Sequence, residues 1–346
     1  MNKKIKLAQF LWTGLAGTTI SEEEEKFLTE TPPGAVILFT RNYESPKQLW
    51  ELNKRLQEIA TTNGLKKPFI IGIDMEGGRV QRLKEPFTVW PSMRKLGDTD
   101  STTLAFDFAK SMGKELRAVG INFNFSPCTD TILNDHNDVI GDRSFSSDHE
   151  VVGRFASSVI RGFKKENILT CIKHFPGHGY TALDSHDELP VDERKLEDIH
   201  EIDAFKKALR SKPEFIMPAH IMFPEVDPDF PATLSETWTK DILKEQFNCR
   251  SFLISDDLDM GALDKYGFEM MVKRIYNLGF HQLLFCHGHE KAKDALELLD
   301  QSCELDETRL NQILDLKDSI PLLGPDEFNE DIIGHEEHKK IAEQFK

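Results

Sequence analysis

Short apolar runs recur along the chain, each ending at or beside a polar residue and giving way to a longer amphipathic or charged stretch. There are eight: Ile5–Thr13, Ala35–Thr40, Pro68–Asp74, Ile121–Ser126, Leu169–Phe175, Glu214–Ala219, Ser251–Asp256 and His281–Cys286. They are rich in Ile, Val, Leu and Phe without strict alternation, the pattern of parallel strands covered on both faces. Around them the spacing predicts helices at about Ser21–Thr31, Ser45–Thr62, Ser101–Val119, His149–Lys165, Leu196–Ser211, Ser235–Phe247, Ala262–Leu278 and Lys291–Leu299, several opened by a capping serine. Eight strand-helix units in alternation predict an α/β fold, a single (β/α)8 TIM-type barrel domain over residues 1–346. Residues 302–346 read as its C-terminal helical and charged extension, with a helix over Asp306–Lys317 and a Pro/Gly break at Pro321–Pro325. In such a barrel the C-terminal strand ends converge on one mouth, so polar residues there are the first candidates for chemistry.

Composition narrows the function classes. Hydrophobic residues make up 39% and charged residues 29%, with 24 Phe to fill a core, which excludes a disordered or fibrous chain. The 43 Lys and Arg against 59 Asp and Glu give a net charge of -16. With no separate basic patch, such a chain repels phosphate backbones and anionic lipid, so neither nucleic acid nor a membrane is an expected partner. Five cysteines (Cys128, Cys171, Cys249, Cys286 and Cys303) with no CxxC pair argue against a disulfide framework or a structural zinc. The opening Met1–Gly17 has lysines before an apolar run, but Gln9, Trp12 and Gly14 interrupt it, and it is not read as a secretory signal. No later stretch nears the roughly 18 apolar residues of a membrane span. The expected location is cytoplasmic.

Three loops stand out at the strand ends. After the third run, IGIDMEGGRVQRL places Asp74 at the strand end, Gly77 and Gly78 in a turn that a Cβ would resist, and Arg79 and Arg82 just beyond. A carboxylate and an arginine there suit a hydroxyl-rich or carboxylate-bearing ligand, and they equally suit a tight turn with a local ion pair. After the fifth run, KHFPGHGYTALDSHDELP is the densest polar segment of the chain. Lys173 and His174 end the strand, and Asp184 and His186 are close enough in sequence for the carboxylate to orient the imidazole as an acid-base pair. A metal held by His174, His178 and His186 is the competing reading, but the spacing matches no zinc signature. After the seventh run, FLISDDLDMGAL makes Asp256 the first acid at a buried strand end, a candidate nucleophile, while Asp257 or Asp259 also fits a helix cap. A carboxylate and a proton donor about 5 Å apart across a sugar ring give retaining hydrolysis, whereas a wider gap admits direct attack by water. Two weaker signals are Arg143 in VIGDRSF, a ligand clamp or a surface arginine, and CHGHE (Cys286–Glu290), whose adjacent ligands cannot all reach one ion.

At these residues the sequence resembles glycoside hydrolase family 3 β-N-acetylglucosaminidases (β-hexosaminidases) of the NagZ type, from bacterial cell-wall recycling. The resemblance is carried by VILFTRN, IDMEGGRVQRL, NFSPCTD, VIGDRSF, KHFPGHG with DSHDELP, MPAHIMFPEVDPDFPATLS and SDDLDMGAL, in the family's order from about Leu7 to Cys286. It implies a single barrel without the second domain of many family 3 β-glucosidases. It implies Asp256 as nucleophile, His186 as general acid/base and Asp184 as its dyad partner, with sugar binding by Asp74, Arg82, Arg143, Lys173 and His174. Met75 stands where the family usually has Gln, removing a polar group beside Asp74. Tyr180 stands where an acid is usual, adding a stacking surface near the catalytic loop.

The resemblance further implies exo-acting, retaining removal of a non-reducing terminal N-acetylglucosamine, through a covalent glycosyl-aspartate. The substrate it implies is a small carbohydrate, a peptidoglycan (muropeptide) fragment or chito-oligosaccharide, and neither metal nor organic cofactor is needed. The Pro-Gly and His-Gly steps of the Phe175–Leu189 loop lead to the expectation that Asp184 and His186 are displaced from Asp256 when no sugar is bound. Other readings stay open. A phosphorylase or transglycosylase is one, because a neutral histidine repels an attacking phosphate less than a carboxylate would. Hydrolysis assisted by the substrate's own acetamide is another, and a non-catalytic sugar-binding barrel a third.

Overall fold

Eight parallel strands close into a barrel in chain order: β1 (Leu11–Gly14), β2 (Ala35–Leu38), β3 (Ile70–Ile73), β4 (Phe123–Asn124), β5 (Leu169–Phe175), β6 (Phe215–Pro218), β7 (Phe252–Asp257) and β8 (Gln282–Phe285). β8 returns to β1 through the pairs Leu11–Leu283, Trp12–Leu284 and Thr13–Phe285, which completes the (β/α)8 TIM-type barrel. This computed structural model describes residues 2–181, 189–321 and 328–346.

Seven of the expected runs contain or closely match their strands, and the first is corrected. Lys3–Ala8 is a helix, capped by the Asn2 side chain accepting from the Ile5 amide, and only the end of that run is strand. Its lysines explain the outcome: Leu7 and Ala8 turn inward while Lys4 and Lys6 reach Glu297 and Glu307 on the outside, a helical rather than an extended division of faces. The serine signals are borne out. Ser21 forms a full capping box with Glu24, Ser45 caps a helix that Pro46 begins, and Ser101 caps Thr102–Ala118. Two expected helices are interrupted, one after a short 3-10 turn at Leu196–Asp198 and one at Gly267, whose φ of 75° suits glycine.

Alternation along the strands sorts two cores. Leu11, Val36, Leu38, Ile71, Ile73, Ile172, Ile216, Leu253, Leu283 and Phe285 face the helices. Their neighbours Trp12, Ala35, Ile37, Ile70, Phe123, Cys171, Phe215, Ile254 and Leu284 fill the barrel. The interior is an aromatic plug: Trp12, Phe123, Phe125 and Phe215 meet edge to face, with ring centroids 4.6 to 5.1 Å apart. Gly72 makes room for it, since a Cβ there would lie 2.6 Å from the Trp12 ring.

The C-terminal residues pack under and beside the barrel. Helix Glu307–Ser319 inserts Lys317, fully buried, with its ammonium 2.8 Å from Gln9 Oε1. Burial, with Lys67 adding, lowers this lysine to about 7. Helix Glu336–Glu343, which the apolar pattern does not predict, docks on Thr102–Ala118 through a buried His338–Glu115 contact of 2.7 Å.

Candidate active site

The mouth is built from strand ends. Past β3 the chain forms a short hairpin, Met75–Gly77 with Val80–Gln81, around Gly77 and Gly78 at φ 102° and 58°. A Cβ on Gly77 would fall 2.8 Å from the Pro91 carbonyl, so the glycine turn read from the sequence is required twice over, by conformation and by space. Asn124, at the end of β4, grips the hairpin through the Met75 amide (2.9 Å) and carbonyl (2.7 Å). The Met75 side chain is buried and receives the Leu83 amide on Sδ, so this departure from the usual family residue packs the hairpin.

That hairpin presents Asp74, Glu76 and Arg82 to β5. The Lys173 ammonium lies 2.8 Å from Asp74 Oδ1 and 2.8 Å from Glu76 Oε1. Arg143 forks onto Glu76 with two contacts of 2.9 Å and donates a third hydrogen bond to the Val139 carbonyl. Arg82 reaches Asp74 Oδ2 at 3.3 Å. Burial pushes the two carboxyls up, but Lys173 and Arg82 on Asp74, and Arg143 and Lys173 on Glu76, bring both below the usual carboxylate range. Lys173 correspondingly sits above its ordinary value, held charged against burial by Asp74 and Glu76. Five formal charges are thus locked in one network, with Asp74 and Arg82 its most accessible members.

A second network stands beside it. Asp130 is fully buried, and its carboxylate accepts from the His174 and His178 amides, from the Cys128 thiol and from His174 Nδ1, the last at 2.7 Å. With Nδ1–H committed to Asp130, the His174 tautomer is set and Nε2 remains for another partner.

Asp256, the last residue but one of β7, lies in the same mouth, half-buried, with Oδ1 accepting the Asp257 amide at 2.8 Å. Burial raises its carboxyl, yet His174, His220, the Asp257 amide and Lys173 carry it to a net value below an ordinary aspartate. Its neighbour is tuned the opposite way: burial, then Asp259 and Asp256, push Asp257 up to about 6 despite amide bonds from Asp259 and Cys286. Two adjacent acids therefore differ in charge between about pH 4 and 6, where Asp256 is the one held as a carboxylate and Asp257 keeps its proton.

Asp74, Arg82, Arg143, Lys173, His174 and Asp256, singled out from the sequence, are brought to one opening; Asp184 and His186 lie outside the described residues. Glu76, Asp130 and His220 were not singled out, although each falls inside a motif that was. Among the described residues, metal-type ligands gather at Cys128, Asp130 and His174 and at Asp257, Asp259 and His287. In the first group Asp130 is already saturated by donors, and in the second Asp259 is paired with Lys291 at 2.7 Å.

The pattern of the glycosyl hydrolase family 3 N terminal domain matches residues 3–315. A β-hexosaminidase of Thiobacillus denitrificans is 37% identical over 299 residues, 84% of this chain and 81% of its own length. One from Idiomarina loihiensis is 37% identical over 294 residues, 83% and 86% of the two chains. Among solved structures, a family 3 β-N-acetylglucosaminidase from Paenibacillus sp. FPU-7 superposes with a TM-score of 0.93 at 32% identity, covering 100% of this chain and 68% of that one. NagZ from Neisseria gonorrhoeae, in complex with N-trifluoroacetyl-D-glucosamine, gives 0.82 at 29% identity over 97% and 96%. Barrel, strand-end charges and extended sequence likeness agree: the chain belongs to glycosyl hydrolase family 3 and is a glycoside hydrolase acting on O-glycosyl bonds.

Proposed function

We propose that this enzyme is an exo-acting, retaining β-N-acetylglucosaminidase that removes non-reducing terminal N-acetylglucosamine, its natural substrate a peptidoglycan (muropeptide) fragment in the cytoplasm. The observation that carries the reading is Asp256, held as a carboxylate at a strand end that opens on the Asp74–Lys173–Arg82 network and on His174. Charged donors and acceptors on one side of a mouth suit the hydroxyls and acetamido group of a sugar ring. In this reading Asp74, Arg82, Lys173, His174 and Arg143 hold the ring, Arg143 also bracing the network through Glu76 and having two N–H groups left as donors. Asp256 attacks the anomeric carbon, and His186, tuned by Asp184, protonates the departing oxygen. The same histidine then takes a proton from the water that releases the sugar. No step calls for a metal or an organic cofactor.

The test is an assay of aryl β-N-acetylglucosaminide against aryl β-glucoside in phosphate-free buffer, with wild type, Asp256→Ala and His186→Ala side by side. Cleavage of the acetamido sugar alone, abolished by the first change and weakened by the second, supports the proposal. Turnover only after phosphate is added would replace it with a phosphorylase. Inertness in both buffers would leave a sugar-binding barrel. Mass-spectrometric trapping of a glycosyl-Asp256 adduct separates the double displacement from acetamide assistance.

A further inference from the structure

Tyr180 is the only aromatic among the four exposed large apolar side chains of the described residues, Val89, Leu133, Tyr180 and Val191. Its exposure is 43%, on the same loop that leaves β5 through Lys173 and His174. The ring is not loose. The Arg194 guanidinium lies 3.9 Å from its centroid and is fixed by Asp192 (2.7 Å) and by Glu201, both carboxylates being buried. The backbone beneath is tied to the β4 loop, with the Leu133 and Asn134 amides on the Gly179 carbonyl, Asn134 Nδ2 on the Tyr180 carbonyl, and Asn137 Nδ2 on the carbonyls of His178 and Thr181. At Gly179 a Cβ would fall 1.9 Å from the Thr131 carbonyl, so the two loops pack backbone to backbone. The cation lies over the ring, and the side chain is still 43% exposed. Leu133 and Val191, both exposed, belong to the segments bonded to this ring's supports.

A planar, immobilised aromatic at the rim of a sugar site matches the C–H face of a pyranose, and its rigidity spares the ordering entropy that a free side chain would lose on binding. The aromatic plug closes the barrel from below, so a terminal sugar seated against Asp74 and Asp256 directs its glycosidic oxygen outward, toward the loops that follow β4 and β5, the second of which carries Tyr180. We infer that Tyr180 is the platform for the leaving-group sugar, the residue that sets preference for a carbohydrate aglycone. This rests on the proposed exo-β-N-acetylglucosaminidase activity.

The test compares N-acetyl-β-glucosaminyl fluoride, whose leaving group has no ring, with N,N′-diacetylchitobiose, using wild type, Tyr180→Ala and Tyr180→Trp with melting temperatures checked. The Ala variant should lose about threefold to tenfold in kcat/KM on the disaccharide, chiefly through KM, with the fluoride rate unchanged, and the Trp variant should stay near wild type. Equal losses on both substrates would make Tyr180 a loop support, and no loss on either would make it a bystander; each overturns the inference. Wild type inert toward both substrates would instead overturn the activity on which the inference rests.

Discussion

Arg143 and Glu76 meet fork to fork, each of the two N–O distances 2.9 Å, with the carboxylate almost completely out of solvent. Glu76 is also shared with Lys173, so removing its charge takes the paired carboxylate from Arg143 and leaves Lys173 with Asp74 alone. Glu76→Gln should reduce unfolding free energy by about 3 kcal/mol in urea titrations and weaken sugar binding in parallel. A loss below about 1 kcal/mol would assign the pair the small worth of an exposed salt bridge.

Asp130 fixes His174 from behind. In Asp130→Asn an amide N–H would face donors that a carboxylate now accepts, and the His174 ring would lose its set tautomer. On the proposed activity, kcat/KM should fall at least about tenfold, or 1.4 kcal/mol, with circular dichroism unchanged. Wild-type kinetics in this variant would show that the His174 orientation is irrelevant to turnover.

Asp257 has a sign opposite to that of most acids in folded proteins. Burial, with Asp259 and Asp256, raises it from 3.8 to about 6, so the folded chain binds more protons than the unfolded one between those values. Its contribution to stability is greatest below pH 4 and is lost as the pH rises through 6. Asp257→Asn keeps an oxygen for the Asp259 and Cys286 amides and removes the penalty, so it should gain on the order of 3 kcal/mol over wild type at pH 7 and nothing near pH 4. Parallel stability curves for the two proteins across that window would contradict the assignment.

Lys317 runs the other way in pH. Burial lowers it to about 7, so the unfolded chain binds more protons between 7 and 10.5, and stability from this group rises with pH across that window. Lys317→Met should melt above wild type most clearly near pH 6, by several degrees, and the two should converge near pH 10. Thermal scans at both pH values check this.

The eight runs located the barrel because strands buried on both faces leave continuous apolar stretches, and because serine caps mark helix starts locally. What escaped was whatever depends on partners far apart in sequence. Ile5–Ala8, the later part of the first helix, was absorbed into a strand because Ile5, Leu7 and Ala8 read as apolar, and the acids that hold the helix's lysines outside are near residue 300. Glu76 escaped because only barrel closure sets Arg143 and Lys173 against it, 67 and 97 positions on. Asp130 escaped for the same reason, since His174 is 44 residues away. Composition and period carry no information on such meetings, so Asp74, Arg82, Arg143, Lys173 and His174 were legible, whereas Glu76, Asp130 and the wiring were not. Asp184 and His186 lie outside the described residues.

The aromatic plug beneath the mouth gives the barrel a single door. Trp12, Phe123, Phe125 and Phe215 shut the lower end of the interior, so nothing reaches Asp256 except from above. In the proposed double displacement this imposes a queue: the water that frees the sugar has to use the space the aglycone has just left. A slow-leaving aglycone would then protect the covalent intermediate, and another sugar arriving first would be joined to it in place of water. How far this enzyme hydrolyses rather than transfers would be set by traffic at that one opening.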